Sequence, residues 1–284
     1  MLLDNRMLQL SSDPASTPGQ PSRRISIFRN LHLFRRLVRR DLTMRFTGSV
    51  LGLTWAVLQP LTLVALYWFV FTKLISGGPG RSPYYVEFLI AGLLPWLGIS
   101  EGILRSTTSL VENAPLVRKL PLDSGMLVLV PNATALIFQC VGLGIFVFVL
   151  VATGKSPGAI WMLPFALLLQ FALQSGAGLI LAATHVFFRD VTHIVGFGLS
   201  IVFYLSPILY TVAGRYEMVF AWNPLTPLLG LYRRALLSGI PGMERTAALP
   251  PMTSIVLLTA AAAGIFLAGS ALMQRAQPDL VDLI

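Results

Sequence analysis

Apolar stretches long enough to cross a lipid bilayer recur along this chain and leave few folds open to it. A membrane-spanning helix needs roughly 20 mostly apolar residues, and six stretches qualify, at about 49–75, 84–104, 125–151, 157–184, 193–212 and 252–273. Composition agrees. With 55% hydrophobic and only 12% charged residues in 284, the chain lacks the polar surface of a soluble globule, where charged residues alone make up about a quarter. The expected fold is all-α: one transmembrane domain over 27–284, preceded by a flexible cytoplasmic tail at 1–26 that is rich in Ser, Pro, Asp and Gln and has no periodicity.

Ahead of the first span, Leu31, Phe34, Val38 and Leu42 recur at helical spacing while Arg35, Arg36, Arg39 and Arg40 hold the other face. That pattern predicts an amphipathic helix over 29–46, lying in the membrane interface. A block of arginines before a hydrophobic span keeps the N-terminus in the cytoplasm, and six crossings return the C-terminus to the same side. After the first span the bias is gone, with Lys73, Lys155 and Arg233 among the cations on the outer side, so the orientation rests on that first block. The net charge is +9, and nine of the 21 Lys and Arg residues precede Thr47. No basic face with interleaved aromatics occurs elsewhere, which points to membrane lipid or a partner at the cytoplasmic surface and away from nucleic acid. Cys140 is the only cysteine and sits in an apolar run, so no disulfide within the chain and no cysteine-ligated metal site is expected.

The connections differ in character. Residues 111–124, VENAPLVRKLPLDS, are charged, bounded by prolines and cytoplasmic by the alternation of sides. The segment 211–251 is the longest external connection. Within it NPLTP, at 223–227, opens an apolar stretch that ends at Leu237. It is too short to cross and reads as a re-entrant or interfacial helix before the last span. Gly154-Lys155-Ser156 has the ending of a phosphate-binding loop, but Val149 stands where the first glycine of that motif belongs. We read it as a turn, so an ATP-driven machine built on this chain needs a separate ATPase.

Spaced residues carry a more specific message. Arg40-Asp41-Leu42, Arg45-Phe46, Ser49, Leu51-Gly52, Trp55 and Pro60 open a pattern that continues with Glu112-Asn113, Arg189-Asp190-Val191, Ser206-Pro207 with Tyr210, and Asn223-Pro224 followed by Arg233 and Arg234. From about Leu31 to Leu237 this resembles the permease subunits of ABC exporters for surface polysaccharides; the tail has no counterpart. The resemblance implies a homodimer in the bacterial inner membrane with a pore at its interface. ATP and Mg²⁺ would be held by a separate ABC ATPase subunit, with no cofactor on this chain and no covalent step catalysed by it. The substrate would be a lipid-linked polysaccharide such as an O-antigen, a teichoic acid or a capsule-like polymer. It further implies that the loop after the second span forms a coupling helix docking on the ATPase through Glu112, Asn113, Leu116, Arg118 and Lys119. Arg40, Asp41 and Arg45 of the interfacial helix would serve the same coupling.

For the translocation path, aromatic rings present faces on which sugar C–H groups pack, and polar side chains meet sugar hydroxyls. Tyr67, Trp68, Phe71, Tyr204 and Tyr210 are the aromatic candidates. Gln170 and Gln174 lie one helical turn apart, and a polar pair at membrane depth must face protein or a water-filled path. Glu101 and Arg105 are spaced to pair with each other on one helix. Arg189 and Asp190 are expected to anchor the cytoplasmic end between spans four and five. His185 and His193 have no carboxylate cluster around them and are given no metal or catalytic role. Three other readings are open: a permease for a lipo-oligosaccharide or drug, a membrane-embedded transferase and a scaffold. The last two would lack an ATPase partner.

Overall fold

The computed structural model describes residues 27–45, 47, 52–74, 83–119, 123–211, 220 and 223–283. The tail at 1–26 lies outside them. The described residues are helical, joined by turns and one isolated bridge between Ser156 and Gly239. In chain order the helices are α1 (Ile27–Met44), α2 (Trp55–Phe69, extended by a wider turn over Val70–Leu74), α3 (Tyr85–Glu112), α4 (Ala114–Lys119) and α5 (Ser124–Ala152). They continue with α6 (Leu163–Phe187, preceded by a tight turn over Ile160–Met162), α7 (Val191–Tyr204), α8 (Leu225–Leu237) and α9 (Met252–Leu283).

Among the described residues, four helices are long and apolar enough to cross a membrane: Tyr85–Glu112, Ser124–Ala152, Ile160–Phe187 and Met252–Gln277. The first and fifth predicted spans appear as shorter apolar helices, Leu58–Leu74 and Val191–Tyr204. The fifth is cut short for a local reason. Pro207 has no N–H to continue a helix, and the Ser206 hydroxyl bonds back to the Val202 carbonyl at 2.7 Å, so the chain turns at Leu205.

α3 is the hub. It packs on α2, α5, α6, α7 and α8, and 61% of its most apolar stretch is buried inside the chain against 17% for α9, which leaves α9 to face outward. Two apolar clusters flank its ends. One joins α1, α3, α5 and α6 through Leu37, Val38, Leu110, Val128 and Leu179. The other gathers α2, α3, α6, α7 and α8 around Leu89, Leu228, Tyr232 and Leu236. On α1, Leu37 and Val38 are buried and Phe34 and Leu42 partly so, while Leu31 is exposed along with Arg35, Arg36, Arg39 and Arg40; of the expected apolar face Val38 is covered by the chain and Leu31 is not.

α8 is the least expected in its surroundings. Leu228, Leu229, Leu231, Tyr232, Leu236 and Leu237 are all within 1% of full burial, so this short helix is part of the core. The Asn223 side chain starts it by accepting the Leu225 N–H at 2.9 Å.

α6 and α9 meet backbone to backbone. A methyl group on Gly176 would lie 2.5 Å from the Phe266 amide nitrogen, and one on Gly269 2.5 Å from the Gly176 carbonyl oxygen. Small residues at such a crossing let two membrane helices gain dispersion contacts that lipid cannot supply as well. Gly176→Leu should therefore lower stability by about 1–3 kcal/mol, read as a fall in the thermal unfolding midpoint in detergent. Gly264→Leu, at an open site on α9, should leave the midpoint nearly unchanged.

Candidate functional site

α2, α3, α5 and α7 enclose a groove of about 670 Å³. Its aromatic wall is Tyr67, Trp96, Phe203 and Tyr204. Phe203 is the centre of that wall, with ring centroids 5.9 Å from Tyr67, 5.6 Å from Trp96 and 5.1 Å from Tyr204. Polar groups are set among the rings. Gln59, Ser100 and Ser200 line the same space, and both serine hydroxyls donate to carbonyls of their own helices, Ser100 to Leu97 at 3.2 Å and Ser200 to Gly196 at 3.0 Å. With their protons used, the hydroxyl oxygens face the groove as acceptors.

Of the predicted path residues, Tyr67 and Tyr204 line this groove. Trp68 is exposed but does not line it, and Phe71 packs on Tyr85 at 5.9 Å. Tyr210 lies past the turn that ends α7, where its hydroxyl donates to the Tyr204 carbonyl.

Gln170 and Gln174 are fully buried inside the chain. Gln170 exchanges amide hydrogen bonds with Gln139, at 3.0 Å in one direction and 2.5 Å in the other, and donates to Gln174 at 3.2 Å. Gln174 donates to the Asn132 carbonyl at 3.2 Å, and Asn132 reaches the Ser106 hydroxyl at 2.6 Å. Tyr232 of α8 closes the network, its hydroxyl within 3.1 Å of the Gln139 amide. α3 makes room for this with Gly98, where a methyl group would stand 1.9 Å from the Gln139 oxygen. Of the three glutamines only Gln139 also borders the groove. Sequence reading missed it, although an amide amid the apolar run of α5, one of two there with Asn132, was a visible signal.

At one end of the groove the charges collect. Arg45 pairs with Glu101 at 2.5 Å and Arg105 with Asp41 at 2.7 Å, while Arg105 and Glu101 stand 3.8 Å apart. The expected pairing within α3 is thus the weaker contact; the short bonds run to α1, which supplies closer partners. The Arg45 guanidinium also lies 4.3 Å from the centre of the Phe138 ring. Arg40 donates to the Asn113 side chain at 2.7 Å. A second cavity, about 230 Å³, is lined by Arg40, Asp41, Arg105, Glu112 and Asn113.

Four predicted coupling residues, Arg40, Asp41, Arg45 and Asn113, are thereby brought together with Glu112 beside them. Leu116 in α4 is partly buried against the apolar cluster at this end. Arg118 and Lys119 belong to α4, but their side chains lie outside the described ones. Arg189 and Asp190 are exposed in the turn between α6 and α7, where the Asp190 carbonyl accepts the His193 amide at 3.0 Å. His185 meets the Thr192 hydroxyl at 3.2 Å. Among the described residues no group of three or more His, Cys, Asp and Glu could hold a metal ion.

The far end is pinned differently. Lys155, in the turn with the phosphate-loop ending, pairs with Glu87. Arg233 is buried in α8, donates to the Pro207 and Ile208 carbonyls and stacks 3.9 Å from the Phe88 ring centre. Those carbonyls are freed where α7 stops, and at membrane depth they need a donor from the protein.

A polytopic helical protein of the membrane, with a polar and aromatic groove open along one side and a charged junction at its end, is the class these features define. Comparison with known families makes this specific: residues 32–237 match the model for ABC-2 type transporters, and the chain belongs to that membrane family. Relatives include two proteins of Klebsiella pneumoniae, each named O-antigen export system permease protein RfbA, 29% and 28% identical over 220 residues, which is 73% of this chain and 81% of each relative. A protein of the same name from Myxococcus xanthus is 28% identical over 248 residues, 84% of this chain and 94% of that relative.

The buried amide network makes a clear energetic prediction. Gln170→Ala strands donors and acceptors on Gln139, Gln174 and Tyr232, and a buried group left unpaired costs about 1–3 kcal/mol. The thermal midpoint in detergent should fall accordingly.

Proposed function

We propose that this chain is the permease subunit of an ATP-driven exporter that moves lipid-linked polysaccharide, of the O-antigen kind, across the bacterial inner membrane. Two copies enclose the path, and separate ATPase subunits bind ATP and Mg²⁺ below. The observation that carries this reading is the groove. Gln59, Ser200 and Tyr204 line it and are exposed, and polar groups open to hydrocarbon would each lose their hydration without compensation. A second copy laid against this side turns an unfavourable face into the wall of a wet channel. Stacked rings beside acceptor hydroxyls suit a sugar chain, which offers apolar C–H faces and hydroxyl donors in alternation. The printed names of the relatives support the same substrate class.

In this reading α1 lies in the cytoplasmic interface, α2 and α7 complete six crossings, α8 is a re-entrant helix at the outer side, and both termini are cytoplasmic. The arginine block in α1 supports that orientation. α4 is the coupling helix, and α3 is the lever. At 28 residues it is about 42 Å long, and roughly 20–25 Å of it joins the turn that holds Asn113 to the groove wall at Ser100 and Trp96. A push on α4 is therefore felt at the groove as a movement of one rigid element.

Two measurements test this. Tyr67→Ala and Tyr204→Ala should each lower export of polymer to the cell surface by about tenfold if the rings contribute about 1.4 kcal/mol each to passage, whereas Trp68→Ala should change it little. Equal effects of all three would refute the groove as the path. Asn113→Ala, which removes the acceptor of Arg40, should leave ATP hydrolysis by the assembled complex in place while export falls; unchanged export would remove Asn113 from the coupling.

A further inference from the structure

The four charges where α1 meets α3 can be paired in two ways. Asp41 is on α1 and Arg45 directly after its end, four residues on with its N–H still bonded to the Asp41 carbonyl at 3.0 Å, and Glu101 and Arg105 lie four apart on α3, so each side carries its own pair of opposite charges at the spacing where neighbours on a helix face meet. In the structure the short bonds instead cross between the helices, Arg45 to Glu101 at 2.5 Å and Arg105 to Asp41 at 2.7 Å. The alternative is already half made on α3, where Arg105 and Glu101 are 3.8 Å apart. On α1 the acceptor for it is in place: the second Asp41 carboxylate oxygen is enclosed and has no hydrogen-bond partner among the described residues.

We propose that this square is a two-position electrostatic switch. Crossed pairs tie the C-terminal end of α1 to α3, pairs within each helix untie that end while the apolar face of α1 stays packed on α5, and every charge keeps a partner in both positions. A single buried ion pair would be a poor moving part, because parting it strands two charges at a cost of several kcal/mol. Exchanging two pairs for two others keeps the number of pairs constant, so the positions can lie close in free energy, which a ligand-biased equilibrium requires. The four side chains are 20% to 33% exposed, which leaves room for the exchange.

Its position gives the switch something to report. Arg45 and Glu101 line the groove, whereas Asp41 and Arg105 line the smaller cavity beside Asn113. The square is thus the partition between the candidate path and the turn that leads into α4. A group entering the groove beside Arg45 would bias the pairing, and the change would reach α1 and the Arg40 bond to Asn113 without passing through the apolar core. The consequence for export rests on the transport reading above; the pair exchange itself does not.

Charge swaps separate a switch from a fixed clasp. Asp41→Arg with Arg105→Asp keeps both crossed pairs but sets like charges together within each helix, so the switch is held closed. Glu101→Arg with Arg105→Glu keeps both pairs within the helices and sets like charges across, so it is held open. Swapping all four, Asp41→Arg, Arg45→Asp, Glu101→Arg and Arg105→Glu, preserves both positions. Spin labels at Arg36→Cys on α1 and Leu104→Cys on α3, in a Cys140→Ala background, read the separation in lipid nanodiscs without any substrate. The first variant should give only the short distance and the second only a longer one. The parent and the fourfold swap should both give a mixture. In cells carrying the partner ATPase, surface polymer should fall about tenfold in each double variant, a usual size for a coupling effect, and rise above both in the fourfold swap.

A fixed clasp predicts instead that the first variant exports like the parent, and that result would overturn the proposal, as would the same distance distribution in all four proteins. Distances that shift as expected in a chain that moves no polymer would uphold the switch and refute the transport reading.

Discussion

Hydrocarbon offers no hydrogen bonds, so every polar group that this chain carries to membrane depth needs a partner within the protein. α3 supplies several of those partners. Near its start the Tyr85 hydroxyl donates to the Leu209 carbonyl at 3.1 Å, past the point where α7 has stopped. Midway, Gly98 opens the space that the Gln139 amide fills. Further along, the Ser106 hydroxyl accepts from Asn132 and donates to the Val128 carbonyl at 3.0 Å, and near its far end Arg105 meets Asp41. The groove lies against the same helix, so whatever moves α3 moves the groove wall.

Much of this was legible in the residues, and what was not shares one cause. Long apolar runs are strong signals: the described residues are helical, and four of the six expected spans appear as helices long and apolar enough to cross a membrane. The break in α7 was harder to see. Hydrophobicity runs on from His193 to Val212, and only Pro207 with its neighbouring serine marks the stop. The spacing of Gln170 and Gln174 correctly placed them on one helix face, but no helix encodes what its face will meet. Their partners, Gln139 and Tyr232, lie 31 and 62 residues from Gln170. Glu101 and Arg105 teach the same lesson. Their spacing is right for a pair within α3, yet better-placed partners on α1, 56 and 64 residues away in the sequence, take the shorter bonds. Family resemblance named Arg40, Asp41, Arg45 and Asn113 as coupling residues, but that they come together was not read from the sequence, because their spacing does not encode it.

α8 shows how burial and function divide in a short element. Its leucines and Tyr232 are among the most enclosed residues described, and two of its polar side chains have different tasks. Tyr232 completes the amide network at its middle. Arg233 supplies donors to the carbonyls that α7 leaves open at Pro207 and Ile208. A guanidinium with its fork of N–H groups can serve two carbonyls at once, which a lysine ammonium does less well, so the buried cation is held by the chain ends it satisfies. The end of α7 that carries Phe203 and Tyr204 is fixed in this way, and with it the aromatic wall of the groove.

Polar groups therefore play two opposite parts in this fold, and the difference is the number of good arrangements each set possesses. The amides of Gln139, Gln170 and Gln174 are fully enclosed, and any other pairing leaves a donor or acceptor bare, at a cost set by the low local dielectric. They fix the relative position of α5, α6 and α8 and resist change. The charges of Asp41, Arg45, Glu101 and Arg105 sit at the end of the groove, partly exposed, in a geometry that admits two sets of pairs. A protein that must hold a groove in shape while passing movement along its wall needs both kinds. The rigid set lies in the middle of the bundle, where displacement would open a void, and the exchangeable set lies where α1 meets α3, the junction at which force from a cytoplasmic partner would arrive.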